Sequence, residues 1–243
     1  MPIINLRRCF LLGSKSENEL TVRSDRRRLR QGRYLRSAAE PLETRVLLAA
    51  YPLFARWTET ATNGSGLQQG DPTTLTWSFP ADGITTENSG GLGNGGAPNN
   101  LRAFLDKNWG TGPGGSDLTL RPWFKYFDES LNRIGSIAGL NFVYLAQDDG
   151  ALIRWSNKGI AGTRADIRIT GRSIDGEPNG ANVAAACAIP FDGGDMTFDT
   201  DNVVTFTDST NDYRILRNVL MHELGHGIGL DHVASSESDL GGR

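Results

Sequence analysis

The feature that most constrains this chain is the run His222-Glu223-Leu224-Gly225-His226-Gly227-Ile228-Gly229-Leu230-Asp231-His232, which holds all three histidines of the sequence. On a helix, His222 and His226 stand at i and i+4 and project from one face about one turn apart, close enough to share a tetrahedral ion. Gly229 can take positive φ, which stops the helix and reverses the chain so that His232 returns as a third ligand. Three imidazole nitrogens leave the fourth position of a zinc ion to water. That is the arrangement of a catalytic zinc, because structural sites fill all four positions with protein groups. Glu223 sits beside the ion without needing to ligate it, within reach of a water that a general base would serve. The expectation is one zinc per chain.

Two histidines in H-E-x-x-H can arise by accident, but the longer pattern also demands Gly229 and His232 at fixed offsets. As it stands in His222–His232, H-E-x-x-H-x-x-G-x-x-H resembles the zinc signature of the metzincin metalloproteases. Leu224, Gly225, Gly229, Leu230 and His232 are most similar to the matrixin branch. The resemblance implies hydrolysis of peptide bonds in a protein or peptide substrate by a zinc-activated water, with Glu223 as the general base. It also implies an α+β metzincin fold: a twisted, mostly parallel mixed sheet backed by two long helices, with the active-site helix near the C-terminus.

Composition separates two parts. The net charge of −3 conceals residues 1–36 with ten Arg or Lys against three acids, +7, which leaves −10 on residues 37–243. An acidic body argues against nucleic acid as partner and suits a protein that holds calcium or works outside the cell. Residues 1–50 read as a basic, largely disordered leader, too charged around Arg26-Arg27-Arg28-Leu29-Arg30 to bury. Its end, Leu42-Glu43-Thr44-Arg45-Val46-Leu47-Leu48, is similar to the L-E-x-R-x-L-L export segments that precede some large secreted or surface proteins of bacteria. A basic tail with a brief amphipathic helix is the alternative. No run approaches the 18 or more apolar residues of a membrane-spanning helix. The expected location is therefore secreted or at the cell surface. Cys9 and Cys187 are far apart, and with the leader removed Cys187 stands alone, read as a small buried hydrophobe with a reactive thiol as the minor alternative.

Residues 51–243 read as one catalytic domain. Leu75 to Phe79 alternates and ends at Pro80, a first strand. Residues 82–100 are glycine-rich and read as a loop, after which Asn99 or Asn100 caps a helix through Leu101, Phe104 and Leu105. Leu120, Trp123, Phe124, Phe127, Leu131 and Ile134 recur in threes and fours and predict an amphipathic helix of about four turns whose aromatics are core. Strands are expected at 140–145, at Ile153-Arg154-Trp155, and at Ala165 to Thr170 with one face buried.

Phe191 to Asp201 clusters carboxylates with glycines, which suits an oxygen-coordinated cation such as calcium; an ordinary acidic turn is an equal alternative from the residues alone. The resemblance adds Asp166 with Asp195 at one calcium and Asp175 with Asp199 at another. It also marks departures. Histidines of the structural zinc are missing near Ala185 or Ala186 and at Thr197, Asn202 replaces an acidic ligand, and no cysteine-switch motif is present.

The reading is an exported zinc endopeptidase. A non-catalytic surface or interaction protein on the same scaffold is the rival, and a metal-dependent hydrolase of non-protein substrates a third. In the family resembled, a methionine-containing turn and one wall of the substrate pocket follow the third histidine. Here Met1, Met196 and Met221 all precede it, and Val233 to Arg243 reads as a solvated tail. The C-terminal subdomain is thus expected to be absent and the chain as given to bind zinc better than it turns over substrate.

Overall fold

The computed structural model of the chain describes residues 55–86, 96–154, 157–176, 183–190 and 193–232. The readings of the leader (residues 1–50), of Cys9, of Trp155, of Phe191 and Asp192, and of the tail after His232 lie outside the described residues.

A two-residue hairpin, β1 (Glu59–Thr60) with β2 (Gly64–Ser65), precedes the first long strand, β3 (Thr73–Ser78). There follow α1 (Leu101–Trp109), a 3-10 turn (Leu118–Leu120), α2 (Phe124–Ala138), β4 (Leu140–Tyr144), β5 (Ile167–Arg172), β6 (Ala185–Cys187), β7 (Met196–Asp199), α3 (Val203–Thr207) and α4 (Arg214–Gly227). The main sheet has five strands in the order β4-β3-β5-β7-β6. β3 is parallel to β4 and β5, and β5 to β7; only β6 runs antiparallel, on the edge beside β7. The two long helices, α2 and α4, pack on each other, α2 also on β4 and α4 also on β6. This is the α+β arrangement that the metzincin resemblance implies.

Aromatic rings tie the layers. Trp123 and Phe127 pack edge-on against Phe79 with centroids 5.0 and 4.9 Å away. Phe127 meets Phe198 of β7 at 5.8 Å, Phe198 meets Phe206 of α3 at 5.4 Å, and Phe206 meets Phe104 of α1 at 5.0 Å. Each of these five contacts is T-shaped, the geometry that sets the positive ring edge against the negative face.

Three expectations are corrected. The apolar repeat from Leu120 to Ile134 is not one helix: Pro122 interrupts it, Leu118–Leu120 forms a separate 3-10 turn, and Leu120 is 54% exposed. Asp117 caps that turn, accepting from the Thr119 amide at 2.9 Å and hydroxyl at 2.7 Å. Ile153 makes an isolated bridge to Thr86 and no strand. β5 is buried along its whole length and not on one face only. A central strand covered on both sides tolerates Arg168 because its guanidinium donates to both oxygens of buried Asp148, at 2.8 and 2.7 Å.

The start of α1 is capped from a distance. Asn100 makes no side-chain cap; Asp82 accepts from the Arg102 and Ala103 amides at 3.0 and 2.8 Å. Asn99 instead joins helix to sheet, its Oδ1 accepting from Leu101 at 3.2 Å and from Gly171 of β5 at 2.9 Å.

These placements separate two members of one sequence repeat. Phe127→Ala should cost about 3–5 kcal/mol through the void it leaves, whereas Leu120→Ala should stay within about 0.5 kcal/mol as a surface change. Urea unfolding of the two variants checks this, and equal losses would contradict the packing described.

Candidate metal centre

α4 is held by one row of leucines. Leu216, Leu220 and Leu224 fall at i, i+4 and i+8 and are essentially inaccessible, 0%, 0% and 1% exposed. His222 lies two residues beyond Leu220, about 200° around the helix, so anchoring the leucines turns the histidines outward to the cleft.

The helix is entered through an unusual turn. Asn211, Asp212 and Tyr213 have φ of 51°, 56° and 54°, a left-handed run without glycine. Such residues cost on the order of 1 kcal/mol each and need local compensation. Asp212 provides it: its carboxylate accepts from the Tyr126 hydroxyl at 2.8 Å and from Arg217 at 3.2 Å. The Tyr213 ring packs 4.0 Å from that of Trp109.

The exit places His232. The Gly229 amide donates to the His226 carbonyl at 2.8 Å and the Leu230 amide to Gly225 at 2.9 Å, the paired bonds of a Schellman turn. Gly229 has φ of 103°, and a Cβ there would sit 1.9 Å from the carbonyl oxygen of Ala55. No other residue fits on either count. The Ala55 amide donates back to the Gly229 carbonyl at 3.3 Å, and the Trp57 indole donates to Gly227 at 2.9 Å. The beginning of the domain therefore clamps the end of the zinc helix. Sequence reasoning missed this clamp, since contacts across some 170 residues leave no local pattern.

The three Nε2 atoms converge. His222 to His226 is 3.2 Å, His226 to His232 is 3.0 Å, and His232 to His222 is 3.2 Å. A tetrahedral zinc with nitrogens at its usual distance of about 2.0–2.1 Å sets them about 3.3 Å apart, so the triangle fits that ion with little adjustment. The donor set fits as well. His226 Nδ1 lies 2.8 Å from the Leu230 carbonyl, to which it donates as the Nδ1–H tautomer, leaving the Nε2 lone pair for metal. Burial, and then the charges of His226 and His232, hold His222 below the ordinary imidazole range, which favours the neutral, ligating form. Among the described residues these three histidines are the one group of three or more His, Cys, Asp or Glu whose ligand atoms gather in this way.

Glu223 is buried, and burial pushes its carboxyl up to about 7, opposed only by His226. An acid poised there can take and return a proton near neutral pH. A cleft of about 670 Å³ runs between α4 and the edge strand β6, lined among others by Ala185, Ala186, Val219, His222 and Glu223. Cys187 lines it too. Its thiol donates to the Ala188 and Gly194 carbonyls at 3.3 and 3.4 Å, and burial raises it well above the usual thiol value, as befits a packed sulfur rather than a reactive thiolate.

The four aspartates read as calcium ligands fall in different settings. Both oxygens of Asp166 are taken by the framework: Oδ1 accepts from the Ala61 amide at 2.6 Å, and Oδ2 from the Thr76 amide and hydroxyl, each at 2.8 Å. Asp195 Oδ1 accepts from the Arg168 amide at 2.8 Å while Oδ2 is buried without a partner, and burial pushes this carboxyl up to about 8. Asp199 Oδ1 accepts from Ile174 and Asp201 at 3.2 and 3.1 Å, and Oδ2 is again buried and unpartnered. Burial raises the Asp199 carboxyl, and the nearby charges of Asp175 and Asp201 add to it. Asp175 accepts from the Val183 amide at 3.3 Å.

Gly229→Ala should loosen the turn that carries His232. The expected result is loss of most bound zinc at limiting metal together with a Tm lower by several degrees, read by metal analysis and calorimetry. Full zinc occupancy in that variant would contradict the role given to the turn.

A comparison with curated proteins gives no match. The family model of matrixin, the M10 peptidases, matches residues 125–240, a stretch that begins in α2 and contains the sheet edge, the cleft and the whole histidine motif. With the mostly parallel sheet and the converged triad, residues 125–240 are those of a matrixin-like metzincin, a family of zinc metallopeptidases.

Proposed function

We propose that the chain is an exported zinc-dependent endopeptidase, with residues 1–50 as leader and residues 51–243 as the catalytic domain, secreted or held at the cell surface. The observation that carries this is a buried, proton-poised Glu223 beside three converged imidazoles at the floor of an open cleft. A structural site has no use for such a base.

His222, His226 and His232 would hold the metal. Bound there, zinc supplies a lowered pKa for water and polarisation of the scissile carbonyl. Glu223 then accepts the proton of the attacking water on a carboxylate oxygen and returns it to the leaving amine as the peptide bond breaks. The strand β6 pairs on one side with β7 and faces the cleft on the other. An extended peptide can add to that edge through main-chain hydrogen bonds, which aligns its backbone over the metal without demanding a particular sequence. No helix among the described residues is long and apolar enough to cross a membrane, which is compatible with export.

Glu223→Ala separates this reading from a metal-binding protein without activity. Zinc content should stay at one per chain while peptidase activity on casein falls by at least a hundredfold. Unchanged turnover in the variant would refute the base.

A structural calcium is part of the same proposal. Two buried carboxylate oxygens, on Asp195 and Asp199, lack any hydrogen-bond donor, and a carboxylate so placed needs a cation or a proton. The closeness of Asp175 to Asp199 supports a shared ion there, whereas Asp166 offers less, its oxygens being committed to backbone and hydroxyl donors. Calcium titrated at fixed ionic strength should raise Tm by mass action, and a flat response would leave these aspartates as an acidic turn.

A further inference from the structure

Above the zinc helix lies a second concavity, a groove of about 400 Å³ between α2 and α4. Its walls carry Arg133 from α2 and Arg214 and Arg217 from α4, with Glu129 as the single acid and Ser130 and Asn218 between them. Residues 37–243 carry a net −10, so three arginines converging on one groove run against the charge of the body around them. Arg217 is fixed by its pair with Asp212 at 3.2 Å. Arg133 and Arg214 are exposed, and the guanidinium group of neither makes a hydrogen bond or close ion pair among the described residues, Asp208 being the carboxylate whose charge Arg214 feels.

The groove adjoins the zinc cleft, Asn218 lining both. Arg214, Asn218 and His222 stand at i, i+4 and i+8, one row along α4. At 1.5 Å per residue the row is about 12 Å long, which an extended peptide at about 3.3 Å per residue crosses in roughly four residues.

We propose that this groove is a specificity site for acidic polypeptide substrates, in which the guanidiniums of Arg133 and Arg214 take carboxylates lying about four residues from the bond cleaved over the zinc. Arginine suits that task, since its planar fork meets a carboxylate with two parallel hydrogen bonds. Exposed pairs of this kind are individually weak and screened by salt, so the expected preference is modest and salt-sensitive. The proposal rests on the endopeptidase reading for its use in turnover, but binding at the groove can be measured apart from it.

The test uses the zinc-loaded full chain and its R133Q/R214Q variant. The substrates are fluorogenic peptides with two Asp about four residues from the scissile bond, on one side or the other, and their Asn counterparts. For one of the two acidic peptides kcat/KM should exceed that of its Asn counterpart by about tenfold at low salt, and the advantage should shrink at about 0.5 M salt. R133Q/R214Q should abolish the advantage while cleaving the Asn peptides at the wild-type rate with an unchanged Tm. In parallel, fluorescence anisotropy of the same peptides on Glu223→Ala, with and without R133Q/R214Q, reads binding without turnover. A protein that cleaves no peptide at all overturns the endopeptidase reading, and the anisotropy then still decides the groove. If both acidic peptides bind no better than their Asn counterparts, or R133Q/R214Q keeps the preference, the groove is not an acidic-substrate site.

Discussion

Three imidazole Nε2 atoms held 3.0–3.2 Å apart converge on one point, and such an arrangement is favourable only when a positive charge occupies that point. The rest of the architecture can be understood as what is needed to impose it. Two of the rings come from one helix and cost nothing in chain reversal. The third must return from beyond the helix end, and that return depends on Gly229, whose backbone conformation and lack of a Cβ let the turn close under the Ala55 carbonyl. Metal and fold are therefore linked: the ion supplies free energy to a turn that is otherwise an electrostatic liability, and the turn supplies the ion's third ligand.

That requirement explains where rigidity is concentrated. The leucine row of α4, the left-handed entry turn stitched by Asp212, and the clamp of Ala55 and Trp57 fix the zinc helix at its middle, its beginning and its end. The sheet contributes its antiparallel edge, β6, which lines the cleft beside the histidines. Burial of Glu223 follows from its position between His222 and Leu224 on a packed helix, and the same burial gives it a proton affinity suited to neutral pH. A single helix thus carries two of the three histidines, Glu223 and, through Arg214 and Asn218, one wall of the neighbouring groove.

Much of this was legible in the sequence because it is local. The motif specifies an i, i+4 pair, a base and a glycine stop, all set by helix geometry over eleven residues, and the repeat around Phe127 announced a core helix. What escaped was non-local or hidden by a competing rule. The repeat extended falsely to Leu120 because periodicity does not register the break at Pro122. Alternation at β5 suggested one buried face, whereas Arg168 is buried by a bidentate partner, Asp148, that lies 20 residues away in sequence. The aspartates illustrate the limit most clearly. The resemblance pairs Asp166 with Asp195 at one calcium, yet one has both oxygens satisfied by the framework and the other keeps a buried oxygen without a donor.

Zinc K-edge X-ray absorption on the zinc-loaded protein reads the ligand shell itself. The expected result is one zinc per chain with three imidazole nitrogens and one oxygen at about 2.0–2.1 Å, and no sulfur. Scattering from sulfur at about 2.3 Å, which would bring Cys187 into the ligand set, or a shell with fewer than three imidazoles, would contradict the site as a three-histidine catalytic centre.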